Sequence, residues 1–258
     1  MPQAKQPIRP EGIYHLIPRF VGGEWFIRGP EERTEYLRLF AMGLQSSDWQ
    51  CLAYALMSSH IHLGLIAGSM ELASWMRDVH REFANWINER YGPKRRIGGV
   101  FVRGPKRYEV LQNGVAKLIG YIHRNPVRAG IVSDPNESDW TSHRAYVGSV
   151  PRPSWLASPR GLELSGFRDS QEMHRWICAT NIEKYDLEAA IANAPRRGAP
   201  RKVRPPSAGL PSTVLAGYRD DALLGSAVCV GSQCRWLRKA RKRLSRNHGC
   251  ETGRHGHC

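Results

Sequence analysis

Two histidines one residue apart, His60-Ile61-His62, lie in the apolar run of residues 54–66, Tyr-Ala-Leu-Met-Ser-Ser-His-Ile-His-Leu-Gly-Leu-Ile. The run has no helical period, and at strand spacing residues two apart project from the same face of a sheet. Both imidazoles therefore point one way, while Ser59, Ile61, Leu63 and Leu65 point the other. One face can pack against helices, and the opposite face offers two nitrogen ligands a few Å apart, which is half of a divalent-metal site. Two strand histidines alone more often decorate a face than bind a metal, so the assignment needs a partner elsewhere in the chain.

The candidate partner is residues 118–132, Leu-Ile-Gly-Tyr-Ile-His-Arg-Asn-Pro-Val-Arg-Ala-Gly-Ile-Val. If the segment before Pro126 is helical, Tyr121 and Asn125 stand at i and i+4 and share one face, with Lys117 one turn earlier. That face joins a phenol, a carboxamide oxygen and a cation. Proline disfavours the helical region for the residue before it, which puts Asn125 at a bend or near the helix end. Taken alone, a partly buried aromatic at Tyr121 and a cap at Asn125 account for the pair equally well. Together with the histidines, the balance shifts toward a functional pair.

The order Met57-x-x-His60-Ile61-His62-Leu63, then Tyr121-Ile-His-Arg-Asn-Pro-Val-Arg-Ala-Gly-Ile-Val, resembles the single-tyrosine HUH transposases of bacterial insertion sequences. Within these it is most similar to the REP-associated tyrosine transposases. Gly12-Ile-Tyr-His-Leu-Ile-Pro-Arg19 resembles that family's first strand, and Trp140-Thr-Ser-His-Arg-Ala-Tyr146 resembles its Trp-x-Ser-Tyr-Arg-x-Tyr segment. The resemblance covers residues 8–148. Ser59 stands where the family usually has Asn, and His143 where it usually has Tyr.

The resemblance implies that Tyr121 is the nucleophile and that His60, His62 and Asn125 hold Mg²⁺ or Mn²⁺. Two neutral imidazoles and one amide oxygen would leave either ion open positions for phosphate oxygens or water. Such an ion would polarise the scissile phosphate. A phenol is ordinarily protonated at neutral pH, so it would need activation by the metal's field, a cation such as Lys117, or a water acting as base. Attack would leave a 5′-phosphotyrosine and a free 3′-hydroxyl. The substrate implied is single-stranded DNA, beside hairpin or palindromic repeats, with His15, Arg19, Arg103 and Arg107 as contacts. One nucleophile implies one covalent DNA end per active site, and a homodimer is compatible with that.

Composition points the same way. Across 258 residues the formal net charge is +15, which calls for a polyanionic partner through counterion release and steering. No run of eighteen apolar residues offers a membrane span, and residues 1–7 lack the apolar core of a signal peptide. The expectation is a cytoplasmic protein that does not engage a membrane. Six cysteines in that compartment should stay reduced, with Cys51 and Cys178 as core filler. Cys229, Cys234, Cys250 and Cys258, with His248, His255 and His257, hint at a zinc knuckle. Their spacings match no established pattern, and a disordered tail is the better reading.

The elements must position these groups. Residues 12–20 read as a strand. Residues 31–45 read as a helix with Tyr36, Leu39, Phe40 and Leu44 on its apolar face. Residues 48–57 and 60–67 read as two strands, and residues 71–90 as a helix packed through Leu72, Trp75, Met76, Val79, Phe83 and Trp86. A basic turn at 92–96 precedes a fourth strand over 99–111. There Phe101, Arg103, Lys106, Arg107 and Tyr108 interleave cations with rings, as suits single-stranded DNA. The fold class is α+β, a ferredoxin-like βαββαβ unit with an antiparallel sheet and helices on one face. The tyrosine helix, about 111–124, would cross the open face, as the resemblance implies.

Beyond residue 148 the chain changes character. Residues 149–194 read as an accessory helical segment, with a helix over 169–192 carrying Met173, Trp176, Ile177, Ile182, Leu187 and Ile191. Residues 195–258 hold fourteen Lys or Arg against three acids and open on a proline-rich stretch. They read as a basic tail, disordered or contacting DNA, with 235–246 as a candidate basic helix. Three other functions stay open: a rolling-circle replication initiator or relaxase, a catalytically idle DNA-binding regulator, and a zinc hydrolase that lacks a suitably placed carboxylate.

Overall fold

The computed structural model of the chain describes residues 7–91 and 99–180. The described residues all belong to one compact unit. The basic turn at 92–96, the tail cysteines and histidines, and the 235–246 segment lie outside the described residues.

Four strands form one antiparallel sheet: β1 (Ile13–Ile17), β2 (Gln50–Leu56), β3 (Ile61–Ile66) and β4 (Lys106–Val110), in the order β2-β3-β1-β4. With α1 (Pro30–Gln45) between β1 and β2, and α2 (Leu72–Tyr91) between β3 and β4, this is the βαββαβ order expected. Every strand neighbour is antiparallel. Pro30 opens α1 and the Glu32 carboxylate accepts from the Gly29 N–H at 2.7 Å, so the start of α1 satisfies its own orphan donor.

The two faces of the sheet follow from register. Directly paired residues share a face, and β1 pairs His15 with Gly64 and Leu16 with Leu63. Leu16, Ile61, Leu63 and Leu65 are fully buried on the face away from the histidines, where the apolar stripes of α1 and α2 supply Tyr36, Phe40, Trp75 and Phe83 to the core. The helices themselves meet closely: a Cβ on Gly43 would lie 2.5 Å from Val79 Cγ2.

On the histidine face lies α3 (Val115–His123), which follows a 3-10 turn at Gln112–Gly114. Its Ile122 and Leu118 side chains rest over Gly64, where a Cβ would meet them at 3.2 and 3.4 Å. Helix α3 breaks at Arg124, and a short α4 (Asn125–Arg128) follows, as the proline required. Gly130, at φ +67°, then ends α4: its N–H reaches Val127 O at 3.0 Å and the Ile131 N–H reaches Pro126 O at 2.9 Å. That is the paired-carbonyl stop in which a left-handed glycine closes a helix.

Residues 139–157 seal the free edge of β2. Leu56 N–H donates to Trp140 O at 2.9 Å, Ser142 N–H to Tyr54 O at 3.1 Å, and Ala157 N–H to Cys51 O at 2.8 Å. Tyr146, at the end of α5 (His143–Tyr146), donates its hydroxyl to Leu52 O at 2.7 Å. An edge strand that would otherwise present unpaired backbone is covered. Helix α6 (Ser158–Ser165) packs near β2 and α3, and α7 (Ser170–Ala179) buries Met173 and Ile177. The expected continuation of α7 through Ile182, Leu187 and Ile191 lies outside the described residues. Among the described residues, no helix is long and apolar enough to cross a membrane.

The fourth strand departs from expectation, beginning at Lys106 rather than 99. Phe101 makes only an isolated bridge to Phe20, and its ring stacks on His80 with centroids 3.9 Å apart and packs beside Phe83 and Tyr36. Gly104, at φ +72°, turns the chain before pairing resumes. Phe101 thus belongs to the packing of the unit and not to a base-stacking surface. A second correction concerns Cys178, expected as core filler: it is exposed on α7, while Cys51 is buried.

The seat of α3 on Gly64 is testable. Gly64→Val adds three carbons where Ile122 and Leu118 already touch, and overpacking of this kind costs about 1–3 kcal/mol. Urea denaturation should show a correspondingly lower midpoint, and an unchanged midpoint would mean that α3 is not held at this distance.

Candidate active site

Strand parity assembles the site before any side chain is considered. Residues 13, 15, 17 and 19 share a face, and the Arg19–His60 bridge continues the same register as His15–Gly64. His15, Arg19, His60 and His62 therefore converge on the face covered by α3. His60 Nε2 and His62 Nε2 lie 3.0 Å apart, and His62 Nδ1 lies 2.9 Å from His15 Nε2. The Tyr121 ring sits edge-on to both inner histidines, with centroids 5.7 Å from His62 and 5.8 Å from His15.

All three imidazoles are neutral at physiological pH. Burial, followed by the charge of His60, pulls His15 down to about 3. Burial and the Arg19 guanidinium bring His60 to about 4, and burial with the neighbouring histidines, Arg128 and Arg19 holds His62 well below its ordinary value. Neutral imidazoles are what a metal ion requires. The spacing fits as well: ligands at right angles on bonds of about 2.1 Å stand about 3.0 Å apart, the observed separation of the two Nε2 atoms. The outer nitrogens are held, since His60 Nδ1 meets Ser59 Oγ at 3.0 Å and His62 Nδ1 meets His15. If His62 donates Nδ1–H to His15, its Nε2 keeps the lone pair that a cation needs.

Asn125 is buried one helical turn past Tyr121, and its Nδ2 donates to Tyr121 O at 2.8 Å. That bond fixes the carboxamide and leaves Oδ1 as the atom it can offer to a cation. The cation over the tyrosine is Arg128, whose Cζ lies 4.8 Å from the ring centroid, and not Lys117, which is half-buried one turn before Tyr121. The stop at Gly130 explains the placement: the compact Asn-Pro-Val-Arg turn carries Arg128 back toward the ring.

The remaining expected contacts divide. Arg19 is exposed beside His60. Arg103 is exposed in the bend before β4. Arg107 pairs with Leu16 and stands under the Tyr14 ring at 5.9 Å, on the face opposite the histidines. Lys106 and Tyr108 occupy the histidine face instead, with Tyr108 paired to His15. His15 is 1% exposed and bonded to His62. Sequence reasoning named His15 only as a DNA contact and Lys106 only as one cation of the fourth strand, and it missed Arg128 as the cation at the ring. Arg128 and Lys106 could have been found by counting turns and strand parity.

No protein-family profile and no curated protein matches the chain. Among solved structures it is similar to a REP-associated tyrosine transposase bound to a REP hairpin, at 11% identity and a TM-score of 0.49, over 61% of this chain and 92% of that one.

The buried imidazoles make stability depend on pH with a definite sign. His15 and His62 refuse protons when folded and accept them near pH 6.5 when unfolded, so the unfolded chain binds more protons below that pH. Their contribution is complete above about pH 6.5 and is lost as the pH falls toward their folded values. The melting temperature should drop steadily from pH 7 to pH 5, and less steeply in His15→Gln. A flat profile would mean that the cluster takes up protons while folded.

Proposed function

We propose that this chain cleaves and rejoins single-stranded DNA through a 5′-phosphotyrosine intermediate on Tyr121, at hairpin or palindromic repeats, with a divalent ion, Mg²⁺ or Mn²⁺, held by His60, His62 and Asn125. The observation that carries this reading is the pair of neutral Nε2 atoms, 3.0 Å apart, beside the Tyr121 ring. The motif order that resembles the REP-associated tyrosine transposases supports it, as does the net charge of +15.

In this reading the Tyr121 oxygen forms a bond to the scissile phosphorus, its proton leaves to water, and the bond from phosphorus to the 3′-oxygen breaks with the electron pair going to that oxygen. The energy of the broken linkage stays in the phosphotyrosine, so a 3′-hydroxyl can reverse the step without ATP. A bound divalent ion would supply Lewis-acid polarisation of the phosphate and offset its growing negative charge. Arg128 lies over the Tyr121 ring, and the buried Asn125 bond holds the helix end that carries Tyr121. Arg19 and Lys106, on the site face, would track phosphates, with Arg103 and Lys117 as further contacts and Tyr108 as a stacking ring.

The test is incubation of the purified protein with end-labelled single strands bearing the palindromes that flank its own gene, with Mn²⁺ or chelator, followed by a denaturing gel. A metal-dependent band of protein joined to DNA is expected, lost in Tyr121→Phe and in His60→Ala. Cleavage retained by Tyr121→Phe would remove the nucleophile from its role, and binding without an adduct would favour a DNA-binding regulator.

A further inference from the structure

A second cluster of ligand-bearing side chains lies apart from the tyrosine and its three histidines. Asp134, His174 and Cys178 each present one ligand atom, all within 4.8 Å of one another. They come from two parts of the chain: Asp134 caps the 3-10 turn Pro135–Glu137, and His174 and Cys178 stand one turn apart on α7. Cys178 Sγ lies 3.5 Å from Asp134 Oδ2 and 3.7 Å from His174 Nδ1, and His174 Nδ1 lies 3.0 Å from His143 Nε2.

Those separations are close to what one ion would impose. Tetrahedral bonds of about 2.3 Å to sulfur and about 2.0 Å to nitrogen or oxygen put neighbouring ligands roughly 3.3–3.6 Å apart. The ligand set, one thiolate, one imidazole and one carboxylate with a fourth position for water, suits zinc better than an oxygen-seeking cation.

A chain of hydrogen bonds running through His143 can orient His174 for this task. His143 Nδ1 faces His123 Nδ1 at 3.1 Å, and His123 Nε2 faces Ser142 Oγ at 2.8 Å. Ser142 Oγ in turn accepts from the Tyr54 N–H at 3.0 Å. One consistent proton arrangement has His143 donate from Nδ1 and His123 donate from Nε2. It leaves His143 Nε2 to accept from His174 Nδ1–H, which frees His174 Nε2, 3.8 Å from Cys178 Sγ, for a cation. A ligand histidine whose other nitrogen is held by a buried partner is the usual form of a metal site.

We propose that Asp134, His174 and Cys178 form a structural zinc site, with His143 orienting His174, that fastens α7 to the turn at Asp134. Binding displaces the Cys178 thiol proton to solvent, and no redox step is involved. The site would add to an existing contact, because the Arg124 guanidinium already reaches the carbonyl of Ile177 at 2.9 Å on the last turn of α7. It would therefore hold the accessory helices against the helix that carries Tyr121. The site does not depend on the catalytic reading, as its ligands are separate from His60, His62 and Tyr121.

The experiment is a Co²⁺ titration of the full chain with Cys229, Cys234, Cys250 and Cys258 changed to serine, which leaves Cys51 and Cys178 as the only thiols. Cobalt reports thiolate ligation by a near-ultraviolet charge-transfer band and tetrahedral geometry by its visible bands. Both should saturate at one equivalent, and one equivalent of Zn²⁺ should abolish them. Cys178→Ser should remove the charge-transfer band, and His174→Ala should weaken binding at least about 10-fold. Both variants alter side chains outside the core, so circular dichroism should be unchanged. Absence of the band at tenfold excess Co²⁺, or its survival in Cys178→Ser, would overturn the proposal.

Discussion

A one-residue slip of β3 against β1 would send His60 and His62 to the face covered by α1 and α2, and expel Ile61, Leu63 and Leu65 toward α3. The pairing of His15 with Gly64 and Leu16 with Leu63 forbids this, because four fully buried aliphatic residues depend on it. Burial of those side chains, at roughly 1.5–3 kcal/mol each, is the constraint that aims the histidines. Chemistry on one face is fixed by packing on the other.

The same register explains why the histidine face can accept a helix. Gly64 follows His62 by two residues and presents no side chain, so Ile122 and Leu118 come to rest directly over the strand. Helix α3 then lies low enough for Tyr121 to meet His15 and His62 edge-on, and its exclusion of water keeps the imidazoles neutral. The break at Arg124 and the glycine stop at Gly130 return Arg128 to the ring. Packing, protonation state and nucleophile position are thus consequences of one close approach.

Much of this was legible in the sequence because it is local. Alternation from 54 to 66 fixed the face of the histidines, helical spacing paired Tyr121 with Asn125, and Pro126 marked the bend. What escaped was non-local. His15 could be seen as a strand residue, but its bond to His62 depends on how β1 pairs with β3. Arg107 falls on the far face because β4 starts at Lys106, after Phe101 is captured by His80 and Gly104 turns the chain. Cys178 was read as core filler, and His174 and Asp134 come beside it only through the docking of α7.

The central claim is that Tyr121 is the residue that becomes joined to DNA. Mass spectrometry of the protein after reaction with a repeat-bearing single strand and Mn²⁺, followed by nuclease and trypsin, addresses it directly. The account expects the peptide containing Tyr121 to carry a nucleotide through its phenolic oxygen, at a yield that falls to background with chelator. A nucleotide on any other residue, or cleaved DNA with no modified peptide, would contradict it.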